Sequence, residues 1–330
     1  MSGRITRLED LAALAGVSTA TASRALADSG AVGAATKKRV LQLARAHGYR
    51  GPRAEAAADA GPTIILAAPP DDATARAFAE ALIAAAGAAQ IISRPAIDAD
   101  EAARLVRASR SGGAIFVGDA GLHDAFNRLV DDGERFAVWG PKRPDQAYCC
   151  IGASDTLAGR RAMLHLARMG RRRIAYIGDT RAEAGMQHYR GWLDAHDSAG
   201  LAPDPSLVMA EAAGFDGGRA GVAALAARGA TVDAVVAADD LIALGALRAL
   251  AAAGRTVGDA VALIGNGDLA AGRMATPPLS SVACDVAGAA ARLIAALATN
   301  GPLRAERLAA DIVIRESCGG ADQAGLSGAA

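Results

Sequence analysis

The stretch from Leu8 to Leu26 contains two short helical patterns around a turn, and this arrangement constrains the fold more than any other feature. Apolar residues of the first pattern recur at the i, i+3, i+4, i+7 spacing of one helix face: Leu8, Leu11, Ala12 and Ala15. Gly16 is suited to end this helix in a left-handed conformation, and Ser18 is suited to cap the next one. Thr6, three residues before Glu9, is predicted to cap the first helix. Two helices around a tight glycine turn indicate a helix-turn-helix, although a plain αα-hairpin shares the pattern.

The second helix of such a motif enters the DNA major groove with its N-terminal residues against the base edges. Here Thr19, Ala20 and Arg24 would occupy those positions. Arginine donates two hydrogen bonds to guanine, threonine offers a hydroxyl and a methyl group, and alanine contacts the thymine methyl. Residues 1–50 carry eight basic and three acidic side chains, a formal charge of +5, whereas the whole chain has 35 of each sign. A basic head of this kind favours phosphate binding.

The segment 8–50 resembles the N-terminal domain of the lactose/galactose repressor (LacI/GalR) family. The matching pieces stand in the family's order: Asp10-Leu11-Ala12, Ala15-Gly16-Val17-Ser18, Thr21-Ala22-Ser23-Arg24, Lys38-Arg39-Val40 and Gly48-Tyr49-Arg50. One departure is Arg7, where the family usually has threonine. The resemblance implies DNA contacts by nine residues: Thr6, Ser18, Thr19, Ala20, Thr21, Ser23, Arg24, Lys37 and Tyr49.

Residues 51–62, GPRAEAAADAGP, are bracketed by glycine and proline and predict a linker. In the family this linker becomes a hinge helix on DNA, and a leucine from each subunit enters the minor groove. The leucine position falls near Ala58 in this chain, and Gly51-Pro52 replaces the usual Pro-Asn. The sequence therefore lacks the leucine wedge.

From Thr63 onward, short apolar runs alternate with helical patterns, which predicts parallel sheets with helices on both faces. The predicted strands are 63–68, 90–93, 114–118, 135–140, 147–152, 173–179, 206–211, 234–239 and 261–266. Aromatic residues make up only 3% of the chain, against 52% hydrophobic residues, and this composition favours alanine-rich helices over a β-sandwich. About 250 residues after the linker exceed one typical domain, so two lobes are expected.

The family resemblance extends into this region and implies a periplasmic-binding-protein-like core of two flavodoxin-like lobes. The matching core segments are 155–159, 165–166, 170–178, 189–192, 238–246 and 277–282. The predicted fold is thus an N-terminal all-α helix-turn-helix head with a two-lobed α/β core. The expected parts are a head (1–50), a linker (51–62), a core (63–318) with lobe 1 at about 63–154 and 286–301 and lobe 2 at about 155–285 and 302–318, and a disordered tail (319–330).

Ligands of open α/β sheets bind beyond the carboxyl ends of the strands. The resemblance implies that Arg190 contacts the effector, since its planar fork can bind vicinal hydroxyls or a carboxylate; the alternative is an arginine on a solvated helix face. Phe78 and Phe215 match positions at the edges of the two lobes, with ordinary core packing as the alternative. Asp155 and Asp240 are expected to cap helices at the cleft between the two lobes or at the hinge that joins them.

The segment Gly265-Asn266-Gly267-Asp268 departs from the family's usual Gly-Phe-Asp-Asp, whose first aspartate commonly hydrogen-bonds the effector. Asn266 or Asp268 could replace that acceptor. An anionic ligand tolerates the loss better than a neutral sugar, because a buried carboxylate would repel it. A sugar acid is therefore one lead. The candidate effector residues are Phe78, Arg190, Phe215, Asp240, Asn266 and Asp268.

Nothing in the chain has the spacing of a nucleophile elbow, a P-loop or a dinucleotide fingerprint. The four cysteines, at 149, 150, 284 and 318, lack zinc-ligand spacing and predict reduced thiols. With no signal segment and no apolar run of about 18 residues, a cytoplasmic protein without a membrane partner is expected.

These observations predict a DNA-binding transcriptional regulator, a repressor that needs no cofactor. A homodimer or tetramer would read a pseudo-palindromic operator, and a sugar or sugar acid bound between the lobes would control its affinity. The alternative is a cytoplasmic ligand-binding protein or sugar-modifying enzyme of the same two-lobed shape.

Overall fold

The computed structural model describes residues 7–26, 32–47, 49, 61–68, 72–87, 89–109, 113–210, 212–298 and 305–320. The chain divides into two compact units. Unit 1 consists of Met1–Pro70, Phe78–Gly152 and Val286–Glu306, and unit 2 of Asp71–Ala77, Ala153–Asp285 and Arg307–Ala330.

The head contains three helices: α1 (Leu8–Ala15), α2 (Thr19–Leu26) and α3 (Ala34–Ala46). Gly16 has a φ of 63°, and the amide of Val17 donates to the carbonyl of Ala12 at 3.0 Å. This left-handed residue ends α1 as the sequence predicts. The Ser18 hydroxyl accepts from the Thr21 amide at 3.1 Å, so the predicted cap of α2 is confirmed.

The start of α1 differs from the prediction. The helix begins at Leu8, so Arg7 occupies the capping position, and its side chain makes no capping hydrogen bond. Thr6 lies outside the described residues. Leu11, Ala22 and Val40, one from each helix, are fully buried and form the centre of the head's core.

The first sheet, most of which belongs to unit 1, has six strands in the order β11-β5-β4-β3-β1-β2. Its strands are β1 (Thr63–Leu66), β2 (Gln90–Ser93), β3 (Ala114–Val117), β4 (Phe136–Trp139), β5 (Cys149–Ala153) and β11 (Glu306–Leu308). The helices of this part of the chain are α4 (Ala73–Ala86), α5 (Ala99–Ala108), α6 (His123–Asp131) and α12 (Val286–Ala298). Strands β1 to β5 pair in parallel, in the order 2-1-3-4-5 of flavodoxin-like folds.

Unit 2 repeats this order in a sheet arranged as β12-β10-β9-β8-β6-β7. Its strands are β6 (Ile174–Ile177), β7 (Val208–Met209), β8 (Ala234–Ala237), β9 (Ala262–Asn266), β10 (Ser280–Cys284) and β12 (Ala310–Val313). Its helices are α7 (Asp155–Arg168), α8 (Glu183–Ala199), α9 (Gly214–Ala227), α10 (Asp240–Ala252) and the short α11 (Ala270–Arg273). β12 runs antiparallel to β10 at the edge of an otherwise parallel sheet.

Two pairs of helices in unit 2 cross at reciprocal glycines. A Cβ on Gly159 would lie 2.0 Å from the His188 carbonyl oxygen, and one on Gly191 would lie 1.9 Å from that of Thr156. Gly218 of α9 and Gly245 of α10 have the same relation, with distances of 2.0 and 1.9 Å to opposing carbonyl oxygens. Backbone therefore packs directly on backbone in both pairs, and the glycines are required there.

Within the described ranges, no helix is long and apolar enough to cross a membrane.

Candidate DNA-binding and effector sites

The N-terminal end of α2 presents its predicted DNA-contacting residues to solvent. Thr19, Ala20, Ser23 and Arg24 are exposed, while Ala22 and Ala25 face the head's core. The helix therefore has an apolar inner face and a polar outer face. A short helix with exposed threonine, alanine and arginine at its first turns can read base edges.

Other residues of the predicted DNA-binding set have different surroundings. Ser18 is exposed but its hydroxyl already contacts both the amide and the hydroxyl of Thr21. Tyr49 is only 9% exposed, packs in the head's core, and donates its amide to the Ala44 carbonyl at 2.8 Å. Lys37 is half-buried on α3. Tyr49 therefore stabilises the head, and any contact to DNA is limited to its exposed edge.

In unit 2, the carboxyl ends of parallel strands bring polar residues to one edge of the sheet. Asp179 follows β6, Asp239 follows β8, and Asn266 ends β9. Since β6, β8 and β9 are parallel neighbours, these residues lie at the same edge. This is the edge at which open α/β sheets bind ligands.

Arg190 lies on α8, which follows β6 in the chain. Its side chain is exposed, and it has neither a hydrogen bond nor an ion pair with another described residue. An unengaged guanidinium keeps all of its donors for a ligand, but the same exposure is expected of a solvated helix face. Its role in binding therefore stays a prediction.

The adjacent aspartates 239 and 240 have different surroundings. Asp239 caps α10, because its carboxylate accepts from the Ile242 amide at 2.7 Å. Asp240 is fully buried; its two oxygens accept from the Ser281 hydroxyl at 2.7 Å and the Leu269 amide at 2.6 Å. The prediction of Asp240 as a cap was wrong. With both oxygens engaged, Asp240 holds the segment after β9 in place, while Asp239 stands at the sheet edge.

A similar shift occurs at the start of α7. Ser154 is the cap, and its hydroxyl accepts from the Leu157 amide at 3.3 Å. Asp155 is instead the first helical residue. Burial raises its pKa to about 7, although the charge of Arg307 opposes that rise. The expectation that Asp155 caps the helix was wrong by one residue.

The backbone of the turn after β9 explains why glycine, and not the family's aspartate, stands at position 267. Gly267 has a φ of 119°, a conformation that residues with a side chain rarely adopt. The next carboxylate, that of Asp268, pairs with Arg273 at 3.0 Å and with Arg315 at 2.7 Å. Asn266 donates its amide nitrogen to the Ala238 carbonyl at 3.2 Å, which leaves its own carbonyl oxygen as an acceptor. Of the two suggested replacements, Asn266 is the better acceptor, because the Asp268 carboxylate is already paired with two arginines.

Several acidic groups lie at or near this edge. Burial raises the pKa of Asp239, and the charges of Asp239 and Asp155 add to the effect of burial in raising the pKa of Tyr176. Asp179 is paired with Arg181 at 2.8 Å. A bound anion would lie near the carboxylates of Asp179 and Asp239, and repulsion between like charges there disfavours a sugar acid relative to a neutral ligand rich in hydroxyls.

The two candidate phenylalanines differ in exposure. Phe78, in unit 1, is 1% exposed and stacks on Trp139, with ring centroids 3.7 Å apart and an interplanar angle of 10°. Phe215, in unit 2, is 42% exposed near the start of α9. Sequence analysis missed Trp139, which ends β4 at the carboxyl edge of its sheet. A tryptophan closing an apolar strand before Gly140 is the signal that could have found it.

All four cysteines are thiols that form no disulfide, and burial raises the pKa of the Cys149 and Cys284 thiols to about 11. Such thiols are protonated and unreactive near neutral pH. Among the residues that the structure describes, no group of three or more His, Cys, Asp or Glu side chains is placed to hold a metal ion.

Comparisons with known proteins agree with this architecture. Residues 7–51 match the model of bacterial regulatory proteins of the lacI family, and residues 163–318 match that of a periplasmic binding protein-like domain. The HTH-type transcriptional regulator CelR of Thermobifida fusca is 30% identical over 294 residues, covering 83% of this chain and 86% of CelR. The regulator GalS of Salmonella typhimurium is 28% identical, covering 86% of each chain.

Solved structures show the same fold. A complex of the transcriptional regulator CelR with cellobiose is 26% identical, with a TM-score of 0.64, and covers 95% of this chain and all of that one. A putative LacI-family regulator from Sanguibacter keddieii is 29% identical, with a TM-score of 0.66, covering 78% and 98%. The lac repressor dimer bound to operator has a TM-score of 0.64 at 19% identity and covers 96% and 99%, a likeness of fold alone.

A helix-turn-helix head ahead of two flavodoxin-like sheets defines a DNA-binding transcriptional regulator. The chain belongs to the LacI family of these regulators.

Proposed function

We propose that this regulator is a repressor whose operator affinity is controlled by a neutral sugar. The exposed guanidinium of Arg190 carries the proposal, because it has no hydrogen bond or ion pair with another described residue and α8 begins directly after the sheet edge where Asp179 and Asp239 lie. Arginine binds vicinal hydroxyls, and the carboxylates and the Asn266 carbonyl accept from them. The cellobiose bound by the related CelR supports a carbohydrate of this kind.

The test is thermal stability of the purified protein against neutral sugars, sugar acids and sugar phosphates. A ligand at 100 times its Kd stabilises the folded state by about 2.7 kcal/mol, which is a readable shift in Tm. We expect a neutral sugar to raise the Tm and to change operator binding. If only sugar acids raised the Tm, the argument from charge would be contradicted and an anionic ligand would be favoured.

Arg190→Ala separates the binding role from an inert surface position. Because the side chain has no described partner, the variant is expected to keep its Tm and its operator affinity while losing the response to the sugar. Arg104→Ala, which removes an equally exposed arginine from α5, serves as the matched control. An unchanged sugar response in Arg190→Ala would remove this residue from the site.

We further propose that the regulator acts in the cytoplasm as a homodimer. A helix-turn-helix needs two copies to read a palindromic operator. In unit 1, β2 is an edge strand on which Ile91 is 50% exposed, and Ile83 on the preceding helix α4 is 37% exposed. Exposed isoleucines on an unpaired edge are typical of a surface that a second copy covers.

The competing function, a sugar-modifying enzyme, predicts turnover of the bound sugar. The relatives are transcriptional regulators, and we propose that this chain likewise releases its ligand unchanged. Incubation with the sugar that shifts the Tm, followed by product analysis, checks this. Any product formed at a rate proportional to protein concentration would contradict the proposal.

A further inference from the structure

Unit 2 carries a groove that none of the candidate effector residues lines. It runs between helix α7 and the edge strand β12 and has a volume of about 380 Å³. Leu164 and Ile312 form its apolar floor, and both pack against the buried core of unit 2. Asp311 also lines the groove, and neighbouring residues of a strand point to opposite faces. The groove therefore follows the rim of the sheet.

Three arginines of α7 make this groove basic. Arg160 donates to the Ser198 hydroxyl at 2.9 Å, so its guanidinium is held against α8. Arg161 binds both the carbonyl of Ala310 and the carboxylate of Asp311. Arg168 is exposed and has no ion-pair partner within the described part of the chain. The arginines outnumber the single acidic lining residue, Asp311, whose side chain is itself 84% exposed.

The spacing of the groove-lining residues along α7 indicates which kind of ligand the groove can hold. Residues 160, 164 and 168 follow at intervals of four and lie on one helix face. Eight residues of helix rise about 12 Å between the two outer positions. An extended peptide spans about 13 Å in four residues, and its residues i, i+2 and i+4 point to the same side. An acidic-x-apolar-x-acidic segment thus places its carboxylates at Arg160 and Arg168 and its apolar side chain on Leu164.

We propose that this groove binds an acidic, extended segment of a partner protein. The charge complementarity and the apolar floor favour a polypeptide over a free anion, because a small anion would leave Leu164 and Ile312 uncovered. The location on an edge strand suits an added strand, and displacement of the exposed Asp311 carboxylate frees Arg161 for the incoming segment. The proposal is independent of the sugar and operator proposals above, since it uses none of their residues.

The test uses the full chain and a fluorescent peptide containing Glu-Thr-Leu-Thr-Glu, read by anisotropy. We expect binding that weakens with salt, and no binding of the Lys-Thr-Leu-Thr-Lys peptide. Arg168→Glu should weaken binding of the acidic peptide by about tenfold, because it replaces attraction by repulsion at one end. Arg104→Glu, on α5, is the matched control and should bind as the wild type does.

Charge reversal gives the sharper result. A peptide in which one glutamate is replaced by lysine should bind Arg168→Glu better than it binds the wild type. Arg160→Glu provides a second variant at the other end and should respond to the peptide with the lysine at the opposite end. A loss of folding in both variants would be visible as a lowered Tm. In that case binding of the original acidic peptide to Leu164→Ser is measured instead, and the proposal predicts that this binding is weaker than to the wild type.

Several outcomes would overturn the proposal. They are the absence of binding at millimolar peptide, and equal binding by Arg168→Glu and Arg104→Glu. If Arg168→Glu instead weakened non-operator DNA binding, the groove would be a phosphate contact. A change of sedimentation coefficient in that variant would make the groove an interface between copies of the chain. In each of these cases operator recognition by α2 would stand unaffected.

Discussion

At the crossing of α7 and α8, we expect a glycine-to-alanine substitution to destabilise the protein, although the same substitution usually stabilises a helix. Replacing glycine by alanine inside a helix normally stabilises it by about 1 kcal/mol. At Gly191 the new Cβ would lie 1.9 Å from the Thr156 carbonyl oxygen and 2.7 Å from its carbonyl carbon. Ordinary carbon–oxygen contacts are about 3.3 Å or longer, so the helices must separate by about 1.4 Å. Backbone atoms on both sides leave no rotamer to relieve the clash.

Separating these two helices would disturb the packing of the core of unit 2. Trp192 follows Gly191 directly and is fully buried with Met163 of α7. Overpacking a tight core costs about 3 kcal/mol when no flexible side chain can yield. Subtracting the gain of about 1 kcal/mol in helix propensity, we expect Gly191→Ala to lower the free energy of unfolding by about 2 kcal/mol.

Calorimetry of the full chain measures the effect. For a domain of 150–250 residues, 2 kcal/mol corresponds to a fall in Tm of about 4–8 °C. The control is Asp194→Ala, an exposed position on the same helix, which should leave the Tm unchanged or slightly higher. A Tm of Gly191→Ala at or above the wild-type value would refute the tight crossing of α7 and α8.

Three further predictions concern the DNA, the dimer and pH. Arg24→Ala should weaken operator binding by about 1–3 kcal/mol and relax sequence preference; an equal loss on random DNA would make Arg24 a phosphate contact instead. Ile91→Asp, on the exposed edge strand, should shift sedimentation toward a monomer, and an unchanged dimer would place the interface elsewhere. Burial raises the pKa of Asp240 to about 6 from 3.8, so its contribution to stability is greatest below pH 4 and is lost as the pH rises through 6. Asp240→Asn should remove this component, up to about 3 kcal/mol, from urea-unfolding curves at pH 4 and 7; parallel pH profiles would contradict the assignment.

The alternation of apolar runs and helical patterns predicted the two sheets because local sequence determines it. β2 has the predicted bounds, and most of the other predicted strands are shorter in the structure by one to three residues. The predicted strand 63–68 ends at Leu66, because Ala67 and Ala68 leave the ladder toward the carboxyl edge. β10, β11 and β12 were not among the predicted strands; the four residues of β12 include Asp311, and only pairing with β10 makes them a strand.

The candidate site was harder to predict because its details depend on distant partners. Either Asp239 or Asp240 can cap a helix, and the choice follows from Ser281, which comes from β10 and takes the second carboxylate into the core. Phe78 was placed at a lobe edge, but its stacking partner Trp139 lies 61 positions away in the chain. No local pattern contains either pairing.

The departure at Gly267 is better understood as a change of backbone than as the loss of one acceptor. An aspartate at this position would have to adopt a φ of 119°, so the family's residue and this turn exclude each other. The neighbouring carboxylate of Asp268 cannot take over, because Arg273 and Arg315 hold it and its amide is fixed by the Ser281 hydroxyl at 2.9 Å. Under the proposed function, hydroxyl recognition would therefore fall to Asn266 and to groups on the neighbouring strands. The neutral sugar proposed above would be distinguished at such an edge by the arrangement of its hydroxyls, not by a charge of its own.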